Sequence, residues 1–151
     1  MKKALFMLCL AIMLVVGFTL PAFAAKSLKI DDVDISILGE MYEEKLYING
    51  ILVYTNPSND LLYLEAWITH QNMQLILLQT SSGGVACPAT YRLVIISSDY
   101  KAYISQEFGT CSDLYELHQT PDKFSISMPD MENGKRVTYV LQKGEMVKVE
   151  K

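Results

Sequence analysis

Ser81 to Asp113 reads SSGGVACPATYRLVIISSDYKAYISQEFGTCSD, and this stretch decides the fold class. Its centre, Tyr91 to Ile96 (YRLVII), is a nearly continuous apolar run. That composition fits a strand covered on both faces, because a strand with one wet face alternates apolar and polar side chains. Ser97-Ser98-Asp99 turns the chain and Tyr100 to Ser105 returns it. Pro88 has a fixed φ and no N–H, so Cys87 stands before a strand and not inside one. Phe108-Gly109-Thr110-Cys111 then leads the second cysteine back toward the first.

Outward from this stretch the chain keeps one rhythm of short strands and turns. On the N-terminal side, residues 25–34 (AKSLKIDDVD) read as a polar, frayed start. Ile35 and Ile37 alternate with polar neighbours, and Gly39 ends that strand. Residues 40–44 read as a helical turn or a charged loop. In KLYINGILVYT, Lys45 to Thr55, an Asn-Gly pair sits between apolar runs, the strongest short hairpin signal because both residues tolerate positive φ. A single bulged strand is the alternative. Residues 56–60 (NPSND) form a loop. Leu61 to Thr69 alternates, with Leu62, Leu64, Ala66 and Ile68 on one face and Tyr63, Glu65, Trp67 and Thr69 on the other. His70-Gln71-Asn72 reads as the turn into Met73 to Gln79.

On the C-terminal side, Leu114–His118 and Phe124–Met128 flank a turn at residues 119–122. Val137–Leu141 and Met146–Val149 flank Lys143-Gly144. No long helical period appears. The expectation is an all-β domain over residues 25–151, with about nine short antiparallel strands in a sandwich, meander or small barrel and one disulfide.

Residues 1–24 read as a secretory signal peptide. Lys2 and Lys3 precede the apolar run Ala4 to Leu20, Pro21 breaks it, and Ala22-Phe23-Ala24 supplies the small residues of a cleavage site after Ala24. Cys9 has no small residue beside it, which argues against lipidation. The destination expected is the periplasm or the exterior, with no membrane span after cleavage. Two cysteines then remain in an oxidising compartment, so Cys87 and Cys111 are expected to pair. A redox-active pair would favour C-x-x-C spacing and a helix N-terminus, and neither is present.

The net charge is −4, with no basic cluster, which argues against nucleic acid as a partner. No cofactor or metal is expected. His70 and His118 fall in or beside turns without ligand spacing around them. Ser82, Asp113 and His118 could compose a triad, but no G-x-S-x-G elbow accompanies Ser82. Gly83-Gly84 leads to Cys-Pro and not to a helix N-terminus, so it is no phosphate loop. Glu40, Glu43 and Glu44 cluster in sequence. Glu65, between Tyr63 and Trp67, is the carboxylate best placed for glycan chemistry.

The segment Gly83-Gly84-x-x-Cys87-Pro88-x-x-Tyr91 and the segment Phe108-Gly109-Thr110-Cys111-Ser112-Asp113 resemble a group of small secreted Gram-negative proteins with no assigned activity. A closing hairpin at Thr138–Val149 is similar too. The resemblance implies a periplasmic address and the disulfide, and it implies no catalytic residue. The Ser-Gly-x-x-Tyr loop of one lysozyme-inhibitor family is absent, since Ser82-Gly83 continues as Gly84-Val85-Ala86.

The function expected is a non-catalytic periplasmic interaction module, inhibitor-like or immunity-like. Its partner would be an envelope or secreted protein, with Tyr63, Glu65 and Trp67 as the contact face. The alternatives are a carboxylate enzyme acting on cell-wall glycan or peptide, and an assembly protein that pairs through exposed sheet edges. The oligomeric state is not fixed by the sequence.

Overall fold

A computed structural model describes residues 26–40, 43–58 and 60–149. The signal-peptide assignment, residues 1–24, lies outside the described residues. Twelve antiparallel strands form three four-stranded sheets, and no helix occurs among the described residues. The first sheet comprises β1 (Lys26–Ile30), β2 (Val33–Leu38), β3 (Lys45–Ile48) and β4 (Ile51–Thr55). The central sheet comprises β5 (Leu61–His70), β6 (Met73–Ser81), β7 (Thr90–Ile96) and β8 (Ala102–Ile104). The last comprises β9 (Glu116–Thr120), β10 (Lys123–Pro129), β11 (Arg136–Gln142) and β12 (Glu145–Val149). Each is a plain meander in sequence order.

The sheets stack in three layers, and side-chain alternation in the central one explains why. On β6, Leu75 and Leu77 join β10 and β11 residues Phe124, Ile126, Met128 and Tyr139 in one core. Ile76 and Leu78 join Ile35, Ile37, Leu46 and Ile48 of the first sheet in another. The same division runs through β7, with Leu93 and Ile95 on one side and Val94 and Ile96 on the other. Successive strand residues point to opposite faces, so a run apolar at every position needs a cover on both. The two-faced burial expected for Tyr91 to Ile96 is what the fold contains.

All-β architecture and the Cys87–Cys111 disulfide are as expected, while twelve strands replace about nine. The polar start at residues 25–34 is a misreading. Lys26 to Ile30 is a regular strand whose Leu28 and Ile30 pair opposite Ile35 and Val33. Asp31, with φ of 49°, makes the tight turn; aspartate tolerates that region. Alternation with lysine hid the strand, because only one face of β1 is covered. Asn49-Gly50 does close a hairpin, with φ of 50° and 76°. The single bulged strand is therefore excluded, although β3 and β4 shift register between Leu46 and Tyr47.

His70 departs from the expected solvated turn. It ends β5, is buried, and its ring centroid lies 6.0 Å from that of Phe124. The turn itself is Gln71-Asn72. His118 lies on β9, exposed, with Nε2 3.7 Å from Glu116 Oε2.

Leu77→Ala and Leu78→Ala test the three-layer arrangement. They are neighbours on β6 and both fully buried. Each is expected to cost about 2–5 kcal/mol in urea unfolding, the range for buried Leu→Ala. A two-layer sandwich would leave one of them on a wet face and nearly neutral.

Candidate functional site

The two ends of the stack differ. At one end the strands are joined by tight two-residue turns, centred on Asp31-Asp32, Asn49-Gly50, Gln71-Asn72, Pro121-Asp122 and Lys143-Gly144, and by the five-residue connection 97–101 between β7 and β8. At the other lie the longer connections, residues 39–44, 56–60, 82–89, 105–115 and 130–135. Hydrogen bonds between sheets fix this grouping. Gln119 Nε2 donates to Thr69 O at the turn end (2.8 Å), and Thr110 Oγ1 donates to Pro129 O at the loop end (2.5 Å). Variable loops on a rigid sheet scaffold are where binding residues concentrate.

The connection at 105–115 has no regular structure, yet it is held at many points. Phe108 and Tyr91 exchange both main-chain hydrogen bonds, at 2.9 and 2.8 Å. Leu93 N donates to Ser105 Oγ at 2.9 Å. Tyr91 Oη donates to Ser112 O at 3.2 Å, and Tyr139 Oη donates to Gly109 O at 2.8 Å. Gly109 has φ of 141°, and a Cβ there would touch Thr90 Cα. The Cys87–Cys111 disulfide ties this connection to the 82–89 loop.

Above that anchorage three loops each expose one apolar residue. Val85 is 97% exposed, and Leu114 and Met131 are exposed as well. A hollow of about 340 Å3 lies among these three loops, lined by Ala86, Thr110, Cys111, Met131, Glu132 and Lys148 among others. Exposed Glu107, Asp113 and Glu132 flank the tips. Arg92, near Glu107 at 3.5 Å, is mostly covered by comparison. Exposed Lys135 and Lys148 stand beside these carboxylates, so the surface offered is apolar at its points and mixed in charge around them.

The three residues expected as a contact face do not share one. The register runs Leu64↔Leu78 and then Ala66↔Leu77, so Glu65 is the extra residue of a β-bulge. Tyr63 stands opposite Gln79, in the rows that face the last sheet, and Trp67 stands opposite Ile76, in the rows that face the first. The same bulge splits the expected apolar face, with Leu62 and Leu64 packed toward the first sheet and Ala66 and Ile68 toward the last. A bulge moves every later side chain to the other face.

Tyr63 carries Lys26 Nζ over its ring at 4.1 Å. Trp67 is 42% exposed and donates from Nε1 to Gln74 Oε1 at 2.6 Å. Glu65 is exposed and acts on two tyrosines. Burial pushes the Tyr91 phenol far above its ordinary value, and the negative charges of Glu65 and Asp113 push it the same way. Tyr115 is raised by burial first and Glu65 second. Glu65 and Asp113 thus converge on Tyr91, a pairing invisible in the sequence because Asp113 lies in the disulfide loop.

Among the described residues no group of three or more His, Cys, Asp or Glu side chains could hold a metal ion. No helix among them is long and apolar enough to cross a membrane. Comparison with protein-family models, curated proteins and solved structures gives no match.

Two outcomes follow for the loop end. Reducing the disulfide, or replacing Cys87 and Cys111 with Ala, is expected to lower stability by about 3 kcal/mol on a chain-entropy basis, read from the urea midpoint. In alkali the raised tyrosines act together. Unfolded tyrosine ionises near pH 10, while folded Tyr91, Tyr115 and Tyr139 keep their protons longer because each is buried. Above pH 10 the unfolded state therefore binds fewer protons, and stability falls as pH rises. Tyr91→Phe should flatten that fall in a pH series of melts, while losing about 1 kcal/mol at neutral pH with its bond to Ser112 O.

Proposed function

We propose that this protein is a non-catalytic binding module of the bacterial periplasm or exterior, which engages a secreted or envelope protein through its loop end. One observation carries the reading: Val85, Leu114 and Met131 stand exposed on loops that the disulfide and the tyrosine hydrogen bonds hold in place. An exposed apolar side chain on a pre-ordered loop loses little conformational entropy on binding, so more of its burial appears as affinity. Inhibitors and immunity proteins use surfaces of this kind.

The leader at residues 1–24, with cleavage after Ala24, supports the address, as do the disulfide and the resemblance of the GGxxCPxxY and FGTCSD segments to small secreted Gram-negative proteins. Tyr63 and Glu65 could extend the contact from the loop end along β5. Trp67, on the opposite face, belongs to a separate surface.

The test is capture from envelope extract, with the processed protein as bait and Val85→Asp/Leu114→Asp beside it. Both positions are exposed, so the variant is expected to keep its melting temperature. One stoichiometric partner, bound by the native protein and lost with the variant, is the outcome expected. A partner retained by that variant but lost with Trp67→Ala would move the surface to the face of Trp67. Turnover of wall glycan or peptide that disappears with Glu65→Gln would replace this reading with the enzyme.

A further inference from the structure

The two side edges of the central sheet are finished differently. At the β5 edge, side chains bond outward main-chain groups near both ends of the strand, at Leu62 and at Thr69, whose O accepts from Gln119 Nε2 at 2.8 Å. Glu44 Oε2 accepts from Leu62 N at 2.6 Å, and Lys26 Nζ donates to Leu62 O. Such charged caps keep an edge from pairing with another chain. At the β8 edge, Gln106 N donates to Glu145 Oε2 at 2.7 Å, and the capping stops there.

β8 has three residues, against five each in β4 and β12. Ser97 N donates to Lys101 O and Ser105 N to Leu93 O. Lys101, Tyr103 and Ser105 therefore turn their main-chain groups toward β7, and Ala102 and Ile104 turn theirs outward. Among the described residues no side chain bonds those outward groups.

A groove runs along each side of this edge. The one toward β4 has a volume of about 460 Å3 and is lined by Ile51, Leu52, Val53, Tyr100 and Ile104 among others. The one toward β12 has a volume of about 420 Å3 and includes Met73, Ile95, Tyr103 and Glu145. Ile51 is 70% and Tyr103 58% exposed. Uncapped main chain flanked by apolar grooves on both faces is the arrangement that takes up another strand.

We propose that the strand it takes up is β8 of a second copy, paired antiparallel about a two-fold axis through Tyr103. The inference is independent of the loop-end reading. The local sequence is self-complementary in this register. Ala102 stands opposite Ile104 of the second copy, and Ile104 opposite its Ala102, a small side chain against a large one on the same face. These pairs exchange four main-chain hydrogen bonds. Tyr103 meets its own counterpart at the non-hydrogen-bonded position, where Cα atoms approach to about 4.5 Å and aromatic pairs are favourable.

Lys101 falls opposite Ser105, so no like charges face each other. Its ammonium is already paired with Asp99 at 2.7 Å, and the bonds from Lys101 and Ser97 hold that carboxyl down at about 2. The axis stands perpendicular to the sheet. β4 therefore meets β4 and β12 meets β12, which covers Ile51, Leu52 and Tyr100. The central sheet becomes eight strands, with its layers continuous across the dimer.

The experiment is sedimentation velocity over a concentration series, on protein expressed with its leader and purified as processed. A monomer–dimer equilibrium is expected. Tyr103→Lys places like charges opposite each other on the axis and removes the aromatic pair. It should weaken the dimer about tenfold or more, with an unchanged melt of the monomer. Tyr103→Cys should form a covalent dimer on non-reducing gels, because this pair geometry suits a disulfide. Thr69→Cys, on the capped β5 edge, should form no covalent dimer on the same gels. A protein monomeric at every concentration overturns the proposal, even if its β8 binds some other peptide. So does a dimer indifferent to Tyr103→Lys, or one that cross-links through Thr69→Cys as readily as through Tyr103→Cys.

Discussion

The central sheet must be buried on both faces, and the rest of the structure depends on meeting that need. Leu75 to Leu78 and Leu93 to Ile96 are apolar without interruption, and each residue is at most 5% exposed. Left alone, the sheet would show two greasy surfaces to water. At about 25 cal/mol per Å2 of apolar surface buried, covering both faces is the largest favourable contribution available to the chain. The outer sheets are built for that purpose. Each turns one apolar face inward and carries a mixed face outward, with Ser36, Tyr47 and Leu38 on the first sheet and Ser125, Thr138, Val147 and Val149 on the last. Chain order then makes the stack local: every strand bonds to its sequence neighbour, and only two connections pass from one sheet to the next. Hairpin meanders require little loop closure, which keeps the entropic cost of each step low.

That order also separates the two ends. The two-residue turns all sit at one end, because each four-strand meander begins and ends at the other. Both connections that pass between sheets emerge at the other. The second of them, residues 105–115, has only the Tyr91–Phe108 bridge and the bond from Ser105 N to Leu93 O to hold it through the main chain of the central sheet. The disulfide, the two tyrosine hydroxyls and Ser105 supply what the ladder does not. The anchorage and the exposed apolar tips therefore arise from one cause: a long crossing that must be fixed without strand pairing.

Much of this was legible in the sequence, and the failures have physical reasons. YRLVII disclosed a strand with two covers. Asn49-Gly50 and Gly144 disclosed hairpins, since asparagine and glycine take positive φ more readily than other residues. Cys87 and Cys111 disclosed the staple through compartment and count. Repetition of the four-strand unit was not legible, because the three sheets share topology and not residues. β1 was hidden because three of its five residues are polar and Ile30 alone is buried. The bulge at Glu65 was the costliest omission. A bulge is decided by the partner strand, where Leu77 and Leu78 are equally apolar, so β5 by itself carries no mark of it. His70 was misplaced for a similar reason: it follows the strand's last obvious residue, and only Phe124, from the last sheet, makes its position an interior one.

The contrast between the two sheet edges bears on how such a stack stays a defined object. A sheet with both faces covered still has two open sides, and a stack of three has six. Long charged side chains can close a side only where a neighbouring layer projects past it, as Lys26 and Glu44 do over Leu62. At β8 the order is reversed in part. Glu145 reaches Gln106, but the neighbours over Ala102 and Ile104 are Ile51, Leu52 and Tyr103, none of which can bond a main-chain group through an apolar side chain. A polar cap there would have to displace apolar contacts to reach the strand. Another strand would not, because it satisfies the main chain and fills the grooves at once. The shortness of β8 is what makes the two demands coincide at one edge.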